Sequence, residues 1–387
     1  MDPIYVIGAG MTPFGPQPDV EVHELGRRAV WEAIAASGVA PQAFRRRPAV
    51  AFAGHAYQGP CFAQKTLMKI GLQGLPMINV ENACASGSTA IIGAAAMIRS
   101  GEAEIAIAFG AEKLTRPGGG FLPIVADDLE SAMGRVMPAA FAMQAQLHMR
   151  RYGTTREQMA LIAVKNRRNG ALNPRCHFKE PVTVEQVLAS PTIADPLTRL
   201  SCCPVSDGAA AVILAGAPAL KALGIAPRVE LVASALVSGE RTPFGIVDDK
   251  SEMSVRAARL AYQRAALGPG DVDLCEMHDP FTIAEIIHCE DLGFCPPGDG
   301  GAYAATGRSA IGGGGVAVSP SGGLMAKGHP LGATGVAQAA EIYWQLLGEA
   351  GARQVPDARV GLAHTVGGGV TKLEAGASAV LIFKAVR

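Results

Sequence analysis

Residues 76–96, PMINVENACASGSTAIIGAAA, decide the fold that we expect for this chain. A short apolar run comes first and favours a buried strand, and a series of small residues follows and favours a closely packed helix. Cys84 lies at the junction of the two. Its thiol would face the unpaired N–H groups at the positive end of the helix, so we expect its pKa to fall below the free value of ~8.5. The alternative is a structural cysteine, because free cysteine is among the most buried residue types.

The composition is typical of a large, tightly packed α/β protein. The chain has 387 residues, of which 49% are hydrophobic and 5% aromatic, and glycine and alanine are abundant. This length allows two domains or one duplicated domain. The formal net charge is zero, so nothing indicates a nucleic-acid partner. None of the eight cysteines belongs to a CxxC pair, and we expect reduced thiols and no metal centre.

Targeting signals are absent from the sequence pattern. The N-terminus, MDPIYVIGAG, resembles a strand and has no basic region followed by a long apolar one. The C-terminal residues, LIFKAVR, carry no peroxisomal signal. Since no apolar run reaches the length of a membrane span, we expect a cytoplasmic protein that makes no contact with a membrane.

Strands and helices alternate over residues 4–110, which favours a parallel sheet covered on both faces. Gly8 and Gly10 follow the first strand and resemble the start of a dinucleotide-binding loop. Pro13 takes the place of the third glycine, and no acidic residue follows where the ribose contact would need one. We therefore expect a glycine turn that binds no nucleotide.

The pattern changes at residues 115–199, which we expect to form a loop region inserted over the sheet. A glycine- and proline-rich opening at residues 117–120 precedes a methionine-rich helix. Its methionines could line a channel for a hydrophobic ligand, although packing into the core is the expected use. Basic side chains between Lys165 and Lys179 could contact phosphates, although a solvated helix face is expected.

The element order of the first half restarts in the last part of the chain, which indicates an internal duplication. We expect one half from residues 1–114 and 200–220, and the other from residues 221–387. In both, a short apolar strand leads into a glycine- and serine-rich turn and an alanine-rich helix. In such folds the ligand crevice lies at the carboxyl ends of the strands.

Three of the predicted turns carry reactive side chains at strand ends, namely Cys84, His278 and His329. A fourth turn, HTVGGG at residues 364–369, offers backbone N–H groups. An imidazole can take the proton of a thiol, and N–H groups can hold a developing oxyanion. Each histidine alone would more often be structural, but their positions at equivalent ends of a duplicated sheet favour a nucleophilic site.

These motifs resemble the thiolase superfamily, in particular its sterol-carrier-protein-like branch, over essentially the whole chain. NACASGSTA looks like the nucleophile turn, HDPF looks like the HDCF-type loop of that branch, and SGGLMAKGHPLGATG is very like the highly specific GHP loop. RYGTTREQMA and SDGAAAVIL are similar too. The resemblance implies an α/β fold that is duplicated as two mixed five-stranded sheets, in a layered αβαβα arrangement with an inserted loop region. It also implies a homodimer or homotetramer that uses a coenzyme A thioester as substrate and binds no permanent cofactor.

The resemblance assigns a role to each reactive residue. Cys84 would take an acyl group from an acyl-CoA, and His329 would activate Cys84. His278 would help to hold the thioester oxygen, directly or through water. The amide of Cys84 and Gly367 would form a second oxyanion hole. No metal has a place in this set.

One departure from the family pattern concerns the second cysteine, which serves as the general acid/base when thiolases make or break a carbon–carbon bond. In one branch it precedes the final glycines, where this chain has Thr365 and Val366, and His364 is the nearest titratable group. In the HDCF branch it lies inside that motif, where this chain has Pro280, which cannot carry a proton. No other cysteine lies at an obvious strand end. His364 is therefore the candidate acid/base.

Three hypotheses remain open. The first is an acyl-CoA C-acyltransferase of thiolase type with a role in lipid metabolism, in which a histidine or the substrate replaces the missing base. The second is a decarboxylative condensing enzyme, because Cys84, His278 and His329 resemble the Cys-His-His site of ketoacyl synthases. The third is an accessory coenzyme A-binding protein or an aldolase that works with a small OB-fold partner. Retention of Cys84 weighs against the third, and we expect the first.

Overall fold

The computed structural model of the protein describes residues 3–115, 122, 128–242 and 248–386. The first elements are β1 (Ile4–Met11), α1 (Val22–Ser37), α2 (Ala43–Arg46), β2 (Ala49–Gly54), α3 (Phe62–Met68), β3 (Met77–Val80), α4 (Ser86–Arg99) and β4 (Ile105–Glu112). The next are α5 (Leu129–Ala132), α6 (Met137–Tyr152), α7 (Arg156–Ala171), α8 (Val184–Ala189), β5 (Thr192–Ala194) and β6 (Leu197–Thr198). The opening predicted at residues 117–120 lies outside the described residues.

Of the remaining elements, the first strand and the first helix complete the first half, and the others repeat its order. In chain order, the remaining elements are β7 (Gly208–Gly216), α9 (Ala217–Leu223), β8 (Val229–Val237), α10 (Glu252–Ala265), β9 (Leu274–Glu276), α11 (Thr282–Asp291), α12 (Gly300–Ala305), β10 (Ala317–Val318), α13 (Gly323–Ala326), α14 (Leu331–Leu347), β11 (Val360–Gly367) and β12 (Ala377–Ala385).

The two halves of the main sheet have the same topology. One has the strand order β3-β2-β4-β7-β1, and the other has β10-β9-β11-β12-β8. In each half the three outer strands are parallel and the other neighbours are antiparallel. The matching order confirms the predicted duplication. The sheet is mixed, as the family resemblance implied. The parallel pairing that the alternating pattern favoured for residues 4–110 holds for β2, β3 and β4, whereas β1 pairs antiparallel with β7.

The expectation of two separate five-stranded sheets needs a correction. Strands β1 and β8 pair antiparallel through Tyr5 with Glu230 and Val6 with Val229, so ten strands form one continuous sheet. The pairing joins the first strand of each half. It supplies partners for backbone groups that would otherwise lie at two open edges.

Helices α4 and α14 form the central layer. They share one apolar cluster with strands of both halves, while α1, α3 and α9 cover the outer face of the first half and α10 and α11 that of the second. The layering is therefore αβαβα. Glycines bring the N-terminal turns of the two central helices together, since a Cβ at Gly335 would lie 2.2 Å from Ser88 Oγ and one at Gly87 2.8 Å from the Gly332 oxygen. Two positive helix ends consequently meet beside the carboxyl ends of the strands.

Gly8 and Gly10 lie inside β1, so the glycine turn that the sequence pattern predicted there is wrong, and the two residues serve packing. A Cβ at Gly8 would lie 2.2 Å from the carbonyl oxygen of Ala33, and one at Gly10 would lie 2.3 Å from that of Ala29. These two positions allow α1 to lie directly against the strand.

The methionines of residues 133–150 were expected to pack into the core, and this expectation is wrong for three of them. Met133, Met137 and Met143 are 70%, 44% and 45% exposed. Helix α6 buries Ala142 and Ala145 instead, and Met149 packs against the same apolar cluster.

Candidate active site

Cys84 lies in a tight turn between β3 and α4, within a single 3₁₀ turn over Ala83–Ala85. Ala83 has a φ of 46°, in the left-handed region that residues with a Cβ seldom adopt. Ser86 holds this turn, because its hydroxyl accepts from the Asn82 N–H at 2.9 Å and donates to the Ala83 carbonyl at 2.7 Å. The predicted turn is therefore a sharp, braced bend that presents Cys84 just before the helix.

The end of β11 packs directly on the nucleophile turn. A Cβ at Gly367 would lie 2.0 Å from the Asn82 carbonyl oxygen and 2.8 Å from the Ala85 nitrogen. Gly368 follows with a φ of 72°, and its N–H is directed at the sulfur of Cys84. The structure thus places Gly367 against the turn, as a position that accepts no side chain. It adds the N–H of Gly368, which the sequence analysis missed.

The thiol of Cys84 is protonated at neutral pH. Burial raises its pKa to about 12, the negative charge of Glu112 adds to the shift, and the N–H groups of Gly368 and Cys84 itself oppose it only in part. The predicted lowering of this pKa is therefore wrong for the free protein, because the loss of hydration outweighs the helix end. An acceptor for the thiol proton is required before the sulfur can attack.

His329 follows the Lys327–Gly328 step of the GHP loop and offers that acceptor. Its Nδ1 lies 2.7 Å from the hydroxyl oxygen of Thr334, which in turn donates to the carbonyl of Pro330 at 3.0 Å. Since the hydroxyl proton is used, Nδ1 must be the donor and Nε2 carries the free lone pair. Burial and then Lys327 lower the pKa of His329 to about 3, so the ring is neutral.

His278 follows β9 and is only 5% exposed, yet neither ring nitrogen has a hydrogen-bond partner among the described residues. Burial lowers its pKa well below the ordinary value, and His329, His288 and His364 lower it further. A neutral ring with one N–H donor and one acceptor, both unused, is a group that can bind an oxygen of a ligand.

The three predicted residues come together. The sulfur of Cys84 and one ring nitrogen each of His278 and His329 lie within 4.8 Å of one another. The two rings meet edge to face, with centroids 5.4 Å apart. Thiolate and imidazole are also zinc ligands, so the same three atoms could hold such an ion, although the sequence pattern predicted no metal.

Glu112 ties the end of β4 to the loops around the nucleophile. Its buried carboxylate accepts hydrogen bonds from the backbone N–H groups of Ala56, Tyr57 and Gly332 and from the side chain of Gln58. Burial raises the pKa of this carboxyl, and the same hydrogen bonds oppose the shift. The residue therefore fixes the start of α14 and places a negative charge near Cys84.

The GHP loop is anchored to β9 by a buried ion pair. The ammonium of Lys327 lies 3.2 Å from a carboxylate oxygen of Glu276, and both side chains are fully buried. Glu276 also accepts from the N–H and hydroxyl of Ser321, at 2.9 and 2.6 Å. These contacts hold the strand that leads to His278 and the loop that carries His329 in one relative position.

Asp279 makes a second connection between the same two loops. It accepts from the N–H of Leu324 at 2.7 Å, from the hydroxyl of Ser319 at 2.9 Å and from the side chain of Asn166 at 2.8 Å. Burial and the adjacent Glu285 raise its pKa to about 8. The sequence analysis did not single out this residue, although it follows His278 in the HDPF motif.

The expectation of a solvated basic face between Lys165 and Lys179 is wrong for two of its members. Lys165 is buried, lies 3.0 Å from a carboxylate oxygen of Glu285 and donates to the carbonyl of Val318 at 2.6 Å. The guanidinium of Arg167 lies 3.8 Å from the ring centroid of Phe178. Helix α7 packs on the C-terminal half, and Lys165 stabilises that contact, whereas Arg167 stacks within the inserted region.

His364 lies outside the cysteine–histidine group. Side chains alternate along β11, and Thr365 points to the central layer, where its hydroxyl bonds to Ser88 at 2.9 Å. His364 therefore points to the other face, where Nε2 lies 3.0 Å from Ser254 Oγ and the ring lies 4.6 Å from that of His288. The structure does not bring this candidate acid/base together with Cys84.

A cysteine that the sequence analysis set aside lies beside the HDPF loop. The N–H of Cys203 donates to the carbonyl of Pro280 at 2.8 Å, and Cys202 forms an antiparallel bridge with Phe281. Neither residue belongs to a regular strand, so no strand-end signal marked them. Within the described residues none of the eight cysteines forms a disulfide.

A duplicated αβαβα fold that brings a half-buried cysteine and two neutral histidines together at its strand ends has the arrangement of an enzyme with a cysteine nucleophile. The family models for the thiolase N-terminal domain and the thiolase C-terminal domain-like region match residues 4–217 and 248–382. The chain belongs to the thiolase family, in the sterol-carrier-protein-like branch.

Named relatives cover nearly the whole chain. It is 41% identical to an acetyl-CoA acetyltransferase of Methanothermobacter thermautotrophicus over 99% of this chain and 100% of the relative. It is 38% identical to the benzoylsuccinyl-CoA thiolase subunit BbsB of Thauera aromatica over 95% of both chains. Sterol carrier protein 2 of Oryctolagus cuniculus is 37% identical over 98% of this chain and 72% of the relative. Thiolase-like acyl transfer is the function that these relationships support.

A solved structure shows the same fold. The structure described as the Ltp2-ChsH2(DUF35) aldolase superposes with a TM-score of 0.82 at 22% identity, over 100% of this chain and 98% of the other. Within the described ranges, none of the helices combines the length and the apolar character that crossing a membrane requires.

Proposed function

We propose that this protein is an acyl-CoA C-acyltransferase in which Cys84 carries the acyl group as a thioester and passes it to a carbon nucleophile. The meeting of the Cys84 sulfur with a ring nitrogen of His278 and of His329, all within 4.8 Å, supports this most directly. The substrate is a coenzyme A thioester. We propose no permanent cofactor.

His329 is the proposed base of the acylation step. Its free Nε2 accepts the thiol proton of Cys84 as the sulfur attacks the thioester carbonyl, because neither group is charged beforehand. The resulting imidazolium is unfavourable in a buried site, so the proton is returned when the sulfur is released. Thr334 keeps the ring in the tautomer that this step needs.

Two sets of donors can hold the oxygen charge that develops on the thioester. His278 offers an N–H that no described residue uses. The backbone N–H groups of Gly368 and of Cys84 itself converge on the sulfur, where the carbonyl of an acyl-cysteine would lie. Gly367 contributes by permitting β11 to approach the turn.

The second cysteine of carbon–carbon bond-forming thiolases has no counterpart at the two positions where the family carries it. Thr365 and Pro280 stand there. The acceptor must therefore be an activated carbon nucleophile, or another group of this protein must remove its proton.

We divide the chain into an N-terminal half of residues 1–114 and 200–220 and a C-terminal half of residues 221–387. The region between them, residues 115–199, is the proposed cover of the acyl-binding site. Met137 approaches Gly369, with its methyl carbon 3.0 Å from where a Cβ of that glycine would lie. Phe141 stacks on Phe281 of the HDPF loop, with ring centroids 4.5 Å apart. An exposed methionine beside the glycine turn suits a hydrophobic acyl chain, while the aromatic pair anchors α6 to the HDPF loop.

Assembly belongs to the same proposal. Strand β3, which leads to Cys84, is an edge strand of the described sheet, and pairing with a second copy would cover it in a homodimer or homotetramer. The solved aldolase structure carries a DUF35 partner in its description. A small OB-fold partner is therefore a further candidate component, whereas no nucleic-acid or membrane partner is proposed. A cytoplasmic location stays a prediction.

The direct test is acyl transfer to the protein itself. Pure protein is incubated with acetyl-CoA or butyryl-CoA, and its intact mass is recorded beside Cys84→Ala. One added acyl mass that is absent from the variant is expected. His329→Ala should slow its appearance roughly 10²- to 10⁴-fold, the usual effect of one general base. Equal labelling of Cys84→Ala would contradict the nucleophile, and no labelling by either donor would contradict the proposed function.

A decarboxylative condensing enzyme is the second candidate, and the neutral pair of His278 and His329 beside one cysteine favours it. Loss of carbon dioxide creates the carbanion in such enzymes, so no base is needed. Condensation of the acylated protein with malonyl-CoA and not with acetyl-CoA would identify this chemistry.

A further inference from the structure

The proposed acyl transfer needs a group that removes a proton from the acceptor carbon. A carbon next to a thioester becomes a nucleophile only when its proton is taken, and a positioned side chain usually takes it. His278 and His329 are already assigned to the thioester oxygen and the thiol. Pro280 occupies the HDPF position where a cysteine would serve, and His364 points to the other face of the sheet. A group that reaches the same space from another segment would have to take this proton.

The segment before β7 runs antiparallel beside the HDPF loop. Cys202 bridges Phe281, and the next residue, Cys203, donates its N–H to the carbonyl of Pro280 at 2.8 Å. In an antiparallel pair the residues i+1 and j−1 lie opposite each other, so Cys203 stands opposite Pro280. Opposite residues project their side chains to the same face, with Cβ atoms ~4.5–5.5 Å apart. The thiol of Cys203 thus occupies the face on which a cysteine at position 280 would lie.

The surroundings of the two adjacent cysteines show which face each one takes. Cys202 packs with Phe281 against the apolar cluster of the inserted helices, and its sulfur lies 3.3 Å from the carbonyl oxygen of Thr198. Cys203 is not part of that cluster and stays partly exposed. Burial raises its pKa well above the ordinary value, and the charges of Cys202, Cys84 and Asp279 raise it further.

We infer that Cys203 is the acid/base residue of this enzyme and that it replaces, from the neighbouring segment, the cysteine missing at Pro280. The inference rests on the proposed function. It names a catalytic residue that the family pattern does not assign to this position. The structural basis is the register Cys202–Phe281 and Cys203–Pro280 together with the opposite orientation of the two cysteines.

The proton balance of the cycle closes with this assignment. In acylation the Cys84 proton passes to His329, the carbon–sulfur bond to coenzyme A breaks, and the departing thiolate takes the proton of Cys203. This leaves a Cys203 thiolate and a His329 imidazolium. The thiolate then takes an α-proton of the acceptor thioester, the resulting carbanion bonds to the acyl carbon, and the bond to Cys84 breaks. The released Cys84 thiolate takes the proton back from His329, so all three groups are again as they were at the start. In the next acylation the departing coenzyme A thiolate again takes the proton of Cys203.

Exchange of α-protons with solvent isolates this step from acylation. The full-length protein is incubated with acetyl-CoA or butyryl-CoA in D₂O. Deuterium in the recovered thioester reports on Cys203, and the intact protein mass reports on Cys84. We expect Cys203→Ser to lose exchange roughly 10²- to 10⁴-fold, the usual effect of one acid/base group. Its acylation should fall at most about tenfold, because a thiolate can leave without a proton donor and water can protonate it.

Cys202→Ala is the matched control, because its thiol lies on the other face, and it should exchange like wild type. Pro280→Cys added to Cys203→Ser should restore exchange, since its thiol would lie opposite the lost one. A merely structural role for Cys203 would predict loss of both readouts and no such rescue.

Three results would overturn the inference. The first is that Cys203→Ser exchanges α-protons at the wild-type rate. The second is that Cys203→Ser and Cys203→Ala both lose acylation to the same extent as exchange. The third is that the wild type becomes acylated but does not exchange α-protons. A wild type that is not acylated at all contradicts the proposed function instead, and the protein mass reveals this separately.

Discussion

The Nδ1 atom of His329 lies 2.7 Å from the hydroxyl oxygen of Thr334, whose own proton goes to the carbonyl of Pro330. This contact leaves Nε2 of the imidazole free for the thiol of Cys84. Thr334→Val keeps the shape of the side chain but removes the acceptor, so both tautomers become available. We expect acylation of Cys84 to slow roughly 10- to 100-fold, as when the partner that orients a functional imidazole is lost.

The measurement is single-turnover acylation followed by intact mass. Thr334→Ser retains the hydroxyl and should acylate close to the wild-type rate. Equal rates for the valine and serine variants would show that the contact does not select the tautomer. Thermal unfolding of both variants separates this effect from a loss of packing.

A second prediction concerns the ionisation of Cys84. Burial and Glu112 raise its pKa to about 12, and only the thiolate reacts with iodoacetamide. The alkylation rate should therefore rise roughly tenfold per pH unit between about pH 7 and pH 10, while a free thiol levels off above its pKa of ~8.5. Mass mapping of the Cys84 peptide, with glutathione in the same tube as reference, measures both. A plateau near the pH of the free thiol would contradict the raised pKa.

Acylation by acyl-CoA should follow a different pH profile. His329 has a pKa of about 3, lowered by burial and Lys327, so the neutral base is present above that value and is lost only as the pH falls through it. We expect the acylation rate to change little between about pH 5 and pH 9, because proton transfer to His329 replaces prior ionisation of the thiol. A rate that rises in parallel with alkylation would mean that free thiolate is the attacking species.

Close packing at Gly367 provides the fourth prediction. A methyl group there would meet the Asn82 carbonyl at 2.0 Å and the Ala85 nitrogen at 2.8 Å, two atoms that already share a hydrogen bond of 2.9 Å. Gly367→Ala should therefore displace the nucleophile turn. A displacement of ~1 Å can cost on the order of 10²-fold in rate, and we expect such a loss in acylation. Gly270→Ala, where nothing lies within 4 Å, is the control, and wild-type acylation in Gly367→Ala would refute the argument.

Most of the fold and three of the site residues could be predicted from local signals. Glycine and proline delimit the apolar patterns, since Gly38 follows helix α1 and Pro227 precedes strand β8. Cys84, His278 and His329 were each found at a predicted strand end. They meet because corresponding strands of the two halves end at the same level of the molecule.

The remaining features depend on contacts that no short stretch of sequence encodes. The pKa of Cys84 depends on how much water the folded chain removes and on Glu112, which comes from another strand. Lys165 is buried because Glu285 of a distant helix lies opposite it. Cys203 belongs to an irregular segment whose position is set by one bridge to the HDPF loop, so its place opposite Pro280 is visible only in the structure.

The buried carboxyl of Asp279 supplies the last prediction. Burial and Glu285 raise its pKa to about 8, whereas an aspartate of the unfolded chain ionises near ~3.9. Between these values the folded protein binds more protons than the unfolded chain, so the stability that this group contributes is present at low pH and is lost as the pH rises. Asp279→Asn cannot ionise but keeps an oxygen acceptor for the N–H of Leu324.

The midpoint of thermal unfolding should therefore fall more steeply in the wild type than in Asp279→Asn between about pH 5 and pH 8, the window in which the two proton counts differ. Calorimetry at several pH values in that range measures both slopes. Parallel slopes would show that Asp279 is ionised in the folded protein. In that case its hydrogen bonds to Leu324, Ser319 and Asn166 would have to stabilise a charged carboxylate, and the connection between the HDPF and GHP loops would be ionic at neutral pH.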